Sequence, residues 1–157
     1  MTVDQSTAEQ TSRALAQARE YGIDAELISF DDYDSRGLDW DDVVRSLVLR
    51  RKAGEYLFAL VPMGRRIAWP RLRAAAGTNK LHLPDEDEAF EATGYRRGTI
   101  SPLGSTRAWP VYADILVPGR RIGIGSGVAG YGLWLDADAL LSGLDAELAD
   151  ISDPAPA

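Results

Sequence analysis

The chain has 157 residues, a net charge of −7, 45% hydrophobic and 26% charged residues, which is typical of a globular domain that buries roughly 70% of its unfolded surface. It contains no cysteine and one histidine, which excludes disulfides, thiol nucleophiles and multi-histidine metal sites. No apolar stretch approaches the roughly 20 residues of a membrane span, and residues 1–20 lack a signal-peptide core, so we expect a cytoplasmic protein.

The amino-terminal third predicts a helix, a strand and an acidic loop. Ser6 to Glu9 has the form of a capping box and opens an amphipathic helix that runs to about Tyr21, before Gly22. Residues 23–30 alternate as a strand does, and residues 31–42 form an acidic loop or short turn.

The rest of the chain predicts strands in groups with short helices between them. The elements follow in this order: strands at 43–50 and 55–62 around the basic turn 51–54, a helix from Pro70, a strand at 79–83, a helix at 85–94, strands at 109–117, 120–125 and 130–135, a helix at 136–143, and a strand at 146–151. Regular βαβ alternation is missing. We therefore predict an α/β fold with a mixed central β-sheet and short flanking helices, as one domain over residues 1–152 with a flexible tail at 153–157.

Charge is distributed unevenly along the chain. Residues 1–42 hold 11 acidic and 3 basic side chains, residues 43–135 hold 7 acidic and 14 basic ones, and residues 136–157 hold 6 acidic ones and no basic one. Long-range attraction follows the local field as well as the total charge, so the basic middle is compatible with a phosphate-bearing partner. The alternative is that these arginines simply solvate a surface.

Several single motifs are weak evidence for function. Residues 125–130, GSGVAG, match G-x-G-x-x-G, but the strand-like YGLWL follows where a dinucleotide site needs a helix. The acidic runs at 31–34 and 85–88 lack the spacing of a calcium loop. His82 lies in the alternating run KLHLP and is assigned a structural role. The four tryptophans are expected in the core or in a pocket wall.

Residues 93–114, TGYRRGTISPLGSTRAWPVYAD, contain more than a connecting loop needs. Gly98 and Pro102 form G-x-x-x-P, and Arg96, Arg97 and Arg107 flank it. A glycine admits close approach of the backbone to a ligand, and a following proline stiffens the chain. The alternative is that the glycines only make tight turns.

The order VVRSLVL, FALVP, TGYRRGTISPLG, WPVYAD and RIGIGSGVAGYGLWL, followed by a short helix and ADI, resembles the YbaK/prolyl-tRNA-synthetase-associated domain family. The similarity runs from the first helix nearly to the carboxyl terminus. It implies a YbaK-like fold and hydrolysis, in trans, of the ester that joins a wrong amino acid to tRNA. It also implies mischarged tRNA as partner, with an aminoacyl-tRNA synthetase as a further candidate, and neither a metal, a cofactor nor a membrane.

The resemblance assigns roles to individual residues. Arg45 and Gly98 are the catalytic candidates, and Arg96, Arg97 and Arg107 are the candidates for tRNA phosphates. The substrate-binding candidates are Phe30, Thr99, Ser101, Pro102, Gly125, Ser126, Gly127 and Gly132. Backbone dipoles in two glycine loops, residues 98–102 and residues 125–127, would hold the ester and the terminal adenosine without a side-chain nucleophile.

The chain departs from the family pattern at identifiable positions. Arg45 stands where the family strand has lysine; the charge is kept, but a guanidinium is not a general base. Phe30 aligns with a tyrosine of some members and Gly132 with an aspartate, and the segment 31–42 is shorter than the family's connection. A non-catalytic module that binds a tRNA 3′ end, a nucleotide or a protein is therefore the alternative function, and a general esterase ranks last.

Overall fold

A computed structural model describes residues 2–156. Within this range the helices are α1 Gln5–Thr11, α2 Arg13–Glu20, α3 Trp69–Ala76, α4 Glu86–Thr93 and α5 Ala137–Gly143, with single 3-10 turns at Phe30–Asp32 and Trp40–Asp42. The strands are β1 Ala25–Ser29, β2 Val44–Lys52, β3 Glu55–Pro62, β4 Arg65–Ile67, β5 Val111–Asp114, β6 Arg121–Gly125, β7 Tyr131–Asp136, β8 Glu147–Ala149 and β9 Ser152–Pro154. None of these helices is long and apolar enough to cross a membrane.

The strands form three hydrogen-bonded sheets. In the four-stranded sheet, with order β2-β3-β5-β8, an antiparallel hairpin of β2 and β3 is extended by the parallel strands β5 and β8. The three-stranded sheet is antiparallel with order β1-β7-β6, and β4 pairs with β9. This combination confirms the predicted mixed α/β class, and it leaves β2 and β6 each at the edge of its sheet.

The hydrophobic core lies on both faces of the four-stranded sheet. Strand β3 is apolar and buried from Tyr56 to Pro62, and because side chains alternate along a strand it supplies both faces. On one face Phe58 and Leu60 pack with the first two helices and the three-stranded sheet. On the other, Leu57 and Ala59 pack with α3. The sheet is thus fixed from both sides.

The predicted amino-terminal helix is two helices. Asp4, not Ser6, caps α1 by accepting from the Thr7 N–H at 2.8 Å. Ser12 interrupts the helix: its side chain caps α2 through the Leu15 N–H at 3.0 Å and donates to the Ser126 carbonyl at 2.8 Å. A serine side chain that hydrogen-bonds to backbone groups competes with the hydrogen bonds of a continuous helix. For this reason the prediction of one continuous helix was wrong.

Two further elements differ from prediction. The strand expected at 79–83 is reduced to one bridge, in which Arg50 and His82 exchange backbone hydrogen bonds of 2.9 and 3.2 Å. The tail expected to be flexible from residue 153 is paired at its start, because Asp153 and Pro154 belong to β9. Arg71 also holds the Asp153 carboxylate at 2.7 Å. In both segments the backbone conformation depends on contacts with residues far away in the sequence.

Candidate active site

A cavity of about 570 Å³ lies beside the edge strands β2 and β6. A bridge between Val43 and Gly123 joins the two sheets here. Residues 43–48 line one wall and residues 123–125 another, and the start of α4 and the segment around Gly98 contribute to the rest of the lining. The cavity is thus built where two separate sheets meet.

The structure brings only part of the predicted site to this cavity. The predicted residues that line it are Phe30, Arg45, Arg97, Gly98, Gly125 and Gly132. The predicted residues outside the lining are Arg96, Thr99, Ser101, Pro102, Arg107, Ser126 and Gly127.

The two glycine loops pack directly on each other. The Gly127 N–H donates to the Thr99 carbonyl at 2.9 Å. A Cβ atom added to Gly125 would overlap the carbonyl oxygen of Ile100. Gly125 is therefore required for the contact between the loops, as well as lining the cavity.

Three polar residues that were predicted to bind substrate are engaged within these loops. The Thr99 hydroxyl donates to the Arg96 carbonyl at 2.8 Å. The buried Ser101 hydroxyl accepts from the Leu103 N–H at 3.2 Å, and the buried Ser126 hydroxyl bonds with the Tyr131 carbonyl at 2.7 Å. Their side chains shape the loops, and contact of these three residues with a substrate stays a prediction.

Gly98 presents its backbone to the cavity. Its φ is +86°, in the region that favours glycine, and no atom lies within 4 Å of the position of an added Cβ. Among residues 2–156 its N–H has no hydrogen-bond acceptor. An exposed, unpaired N–H at a cavity wall is suited to bind a carbonyl oxygen.

Arg45 lies on the wall between this cavity and a neighbouring groove lined by Arg66 and Trp69. Its Nη2 donates to the carbonyl of Arg65, whereas its buried Nε has no partner in the described chain. The adjacent Ser46 hydroxyl, which sequence reasoning passed over, is also buried without a partner and lines the cavity. Buried polar atoms of this kind require a ligand or water.

The three arginines near Gly98 have different surroundings. Arg96 lies 3.5 Å from the Asp87 carboxylate and 3.9 Å over the ring of Phe90. Arg107 lies 4.6 Å over the ring of Trp109. Arg97 is exposed and lines the cavity. Of the three, Arg97 is therefore placed to meet a bound anion there.

Helix α2 contacts the segment 95–104, and sequence analysis did not predict this contact. Arg13 donates to the Gly104 carbonyl at 3.0 Å and lies 4.6 Å over the ring of Tyr95. The Gln17 side chain accepts from the Gly104 N–H at 2.8 Å. Burial raises the pKa of Tyr95 to about 12, although Arg13 opposes the shift, so the hydroxyl stays protonated and donates to the Leu103 carbonyl at 2.7 Å.

Aromatic side chains form one wall of the cavity. The ring of Trp40 lies 5.4 Å from that of Phe30 and 4.8 Å from that of Tyr33, and we call these three residues the aromatic cluster. Sequence analysis placed Tyr33 in an acidic loop and gave it no role. A signal was present, because an aromatic residue in a charged loop needs a packing partner.

A model of the "Aminoacyl-tRNA editing domain" family matches residues 30–142 of the chain. A curated relative, described as a proposed Cys-tRNA(Pro)/Cys-tRNA(Cys) deacylase, EbsC of Enterococcus faecalis, is 25% identical over 120 residues, which cover 76% of this chain and 73% of that protein.

Solved structures share the fold. A proposed trans-editing enzyme for prolyl-tRNA synthetase superposes with a TM-score of 0.78 at 20% identity, covering 90% of this chain and 95% of that one. A hypothetical protein superposes with a TM-score of 0.77 at 20% identity, covering 87% of this chain and 96% of that one. At 20% identity, these similarities establish the YbaK-like fold. The reaction must be inferred from the residues of the site.

Proposed function

Because the chain belongs to the aminoacyl-tRNA editing domain family, we propose that it hydrolyses, in trans, the ester bond of a mischarged tRNA. The observation that carries this proposal is the arrangement at the cavity. The unpaired Gly98 N–H and the unpaired Arg45 Nε both belong to residues that line it, and its other walls are mostly apolar. Such a site shields the ester from bulk solvent, leaves room for one attacking water molecule, and offers donors to the carbonyl oxygen.

The proposed reaction is attack of a water molecule on the ester carbonyl carbon. Negative charge develops on the carbonyl oxygen, where the Gly98 N–H and the guanidinium of Arg45 stabilise it. The bond between the carbonyl carbon and the ribose oxygen then breaks, and the proton lost by the attacking water passes to the ribose oxygen, so that the products are a free amino acid and a ribose hydroxyl. Arg45 acts only as a fixed charge and donor, because a guanidinium keeps its protons in proteins.

The direct test is loss of amino acid from a panel of mischarged tRNAs incubated with the purified protein. Acceleration of deacylation for at least one of them supports the proposal. The second candidate is a non-catalytic module that binds the tRNA end. It is favoured by the arginine at position 45, where the sequence resemblance implies a lysine. Binding of these tRNAs without deacylation of any would select that module.

We expect tRNA binding to weaken as salt rises, because Arg97 at the cavity and its basic neighbours replace counterions on phosphates. Arg97→Ala should make the slope of log affinity against log salt shallower by about one unit. Arg96→Ala should change the slope less, since Asp87 already neutralises Arg96. Arg19→Ala, an exposed arginine of α2 outside the cavity, is the control. An affinity that is independent of salt would contradict this prediction.

We expect Gly98→Ala to lower deacylation on the order of 100-fold, because alanine disfavours the φ of +86° with which this cavity-lining residue positions its N–H. The left-handed backbone conformation adds a stability loss of about 1–2 kcal/mol. Gly119→Ala is a matched control, since Gly119 has φ +85°, open space around its added Cβ, and no part in the cavity lining. If Gly98→Ala and Gly119→Ala are equally active after correction for the folded fraction, Gly98 serves only to form a turn.

A further inference from the structure

Arg45 borders two separate spaces, and one backbone carbonyl holds its side chain. The residue lines both the cavity and the neighbouring groove that contains Arg66 and Trp69. Its Nη2 donates to the Arg65 carbonyl, and its buried Nε has no partner in the described chain. A long side chain needs such an anchor to keep one orientation, because each of its rotatable bonds otherwise samples several rotamers. The position of the Arg65 carbonyl therefore determines where the Nε of Arg45 lies.

Strand β4, which carries this carbonyl, is short. It consists of the three residues Arg65–Ile67 and forms a two-stranded antiparallel sheet with β9, Ser152–Pro154. A two-stranded ribbon is marginally stable by itself. The position of β4 must therefore be fixed by contacts that its side chains and those of β9 make.

The side chain of Arg65 supplies one of these contacts. Its Nε donates to the Ser152 hydroxyl at 2.8 Å, and its Nη2 donates to the Ser152 carbonyl at 3.1 Å. Ser152 is 1% exposed, so water competes little for these hydrogen bonds. Arg65 thus holds Arg45 through its carbonyl and is itself held on β9 through its guanidinium.

Ser152 is in turn tied to the four-stranded sheet. The preceding residue, Ile151, donates its N–H at 3.0 Å to the carboxylate of Asp114, a buried residue of β5. Arg71 donates to the Ser152 carbonyl at 3.0 Å. A series of hydrogen bonds therefore leads from β5 through β9 and β4 to the side chain of Arg45.

We propose that Ser152 and Arg65 are positioning residues, which orient the guanidinium of Arg45 at the cavity through the Arg65 carbonyl. This inference rests on the proposed function for the reaction that Arg45 assists, whereas the orientation of Arg45 is a property of the protein alone. It gives a role to the carboxyl-terminal strand β9, which contributes no residue to the described lining of the cavity.

The first test is the single-turnover rate on a mischarged tRNA that the wild type deacylates. We expect Ser152→Ala to lower the rate about fivefold and Arg65→Ala about tenfold, because the first removes one hydrogen bond of the Arg65 side chain and the second removes both. Both losses should be smaller than that of Arg45→Ala, since the two residues act through Arg45. Arg65→Lys should recover part of the rate, because it keeps a charged donor. The control is Arg66→Ala, an exposed arginine on the same strand.

A double-mutant cycle separates positioning from a general loss of stability. In the Arg45→Ala background, Ser152→Ala should leave the rate unchanged, because the side chain that it orients is gone. A role in stability alone would lower the rate by the same factor in both backgrounds. That result, or wild-type rates of both Ser152→Ala and Arg65→Ala, would overturn the proposal.

The second test does not need the reaction. The Nε–H signal of Arg45 in a heteronuclear NMR spectrum, identified by its loss in Arg45→Lys, reports how rigidly the guanidinium is held. We expect a rigid group in wild type and in Arg66→Ala, and a mobile one in Ser152→Ala and Arg65→Ala. A signal that stays rigid in the last two variants would overturn the positioning role, even where the wild type deacylates tRNA. The expected changes in a protein without deacylase activity would refute the proposed function and leave the positioning of Arg45 in place.

Discussion

Replacing Arg45 by alanine should slow single-turnover deacylation about 10²–10³-fold, which is the typical effect of removing one preorganised donor at a developing oxyanion. The buried Nε of Arg45 has no partner in the described residues, so this group is available to the transition state. The same substitution also removes the hydrogen bond from Arg45 to the Arg65 carbonyl, which can lower stability. The Tm of the variant must therefore be measured together with its deacylation rate. The measurement is single-turnover hydrolysis of mischarged tRNAs by folded protein.

Two variants separate the role of Arg45 from a general effect of charge. Arg45→Lys should recover part of the rate, because it keeps a cation and a donor but loses the forked geometry of the guanidinium. Arg66→Ala, which removes an exposed arginine from the neighbouring groove, should leave the rate near that of wild type. Full activity of Arg45→Ala would exclude Arg45 from the mechanism. If the wild type does not deacylate any of these tRNAs but Arg45→Lys does, the result would favour the non-catalytic module that binds the tRNA end.

Replacing Gly125 by alanine should destabilise the protein by about 3 kcal/mol or prevent folding, because the added methyl group overlaps the backbone carbonyl of Ile100. Backbone atoms in two joined loops have little freedom to move away, so the loops must separate. A loss of this size corresponds to a fall in Tm of about 6–12 °C for a chain of this length. Chemical denaturation and thermal melts measure the effect.

The control for Gly125 is Gly143→Ala at the end of α5. There the added Cβ has its nearest contacts with side chains, at 3.1 Å from Ile23 and 3.3 Å from Tyr21, and we expect a small change in stability. If Gly125→Ala unfolds at the same denaturant concentration as wild type, the contact between the two glycine loops is looser than the structure indicates. A stable Gly125→Ala protein without activity would then assign Gly125 to ligand binding alone.

The local elements were largely predictable from sequence because their causes are local. The β2–β3 hairpin follows from apolar runs on either side of a glycine turn, and Gly54 has φ +76° as such a turn requires. Helix α4 begins where Asp85 caps it by accepting from the Glu88 N–H at 2.8 Å. The glycines at 125–130 lead into strand β7, as predicted, and not into the helix that a dinucleotide-binding motif requires.

The cavity itself depends on contacts between distant segments. Sequence analysis selected Arg45, Gly98 and Gly125 from their resemblance to a family pattern, but it assigned ligand contact to Ser101 and Ser126, whose hydroxyl groups are used inside the loops. A serine in a glycine-rich segment has the same local pattern in both roles. Only the packing of the loops on one another distinguishes them.

The sequence by itself therefore determined the fold class, since periodicity, capping and turn residues act within a few positions. Its resemblance to a family pattern also indicated the family and several segments that line the cavity. The tertiary structure decided the pairing of Asp153 in a strand, the support of the site loops by Arg13, and the burial of Tyr33 against Trp134. Each of these contacts joins residues more than 80 positions apart. Their existence depends on how the sheets and helices pack together, which no local pattern encodes.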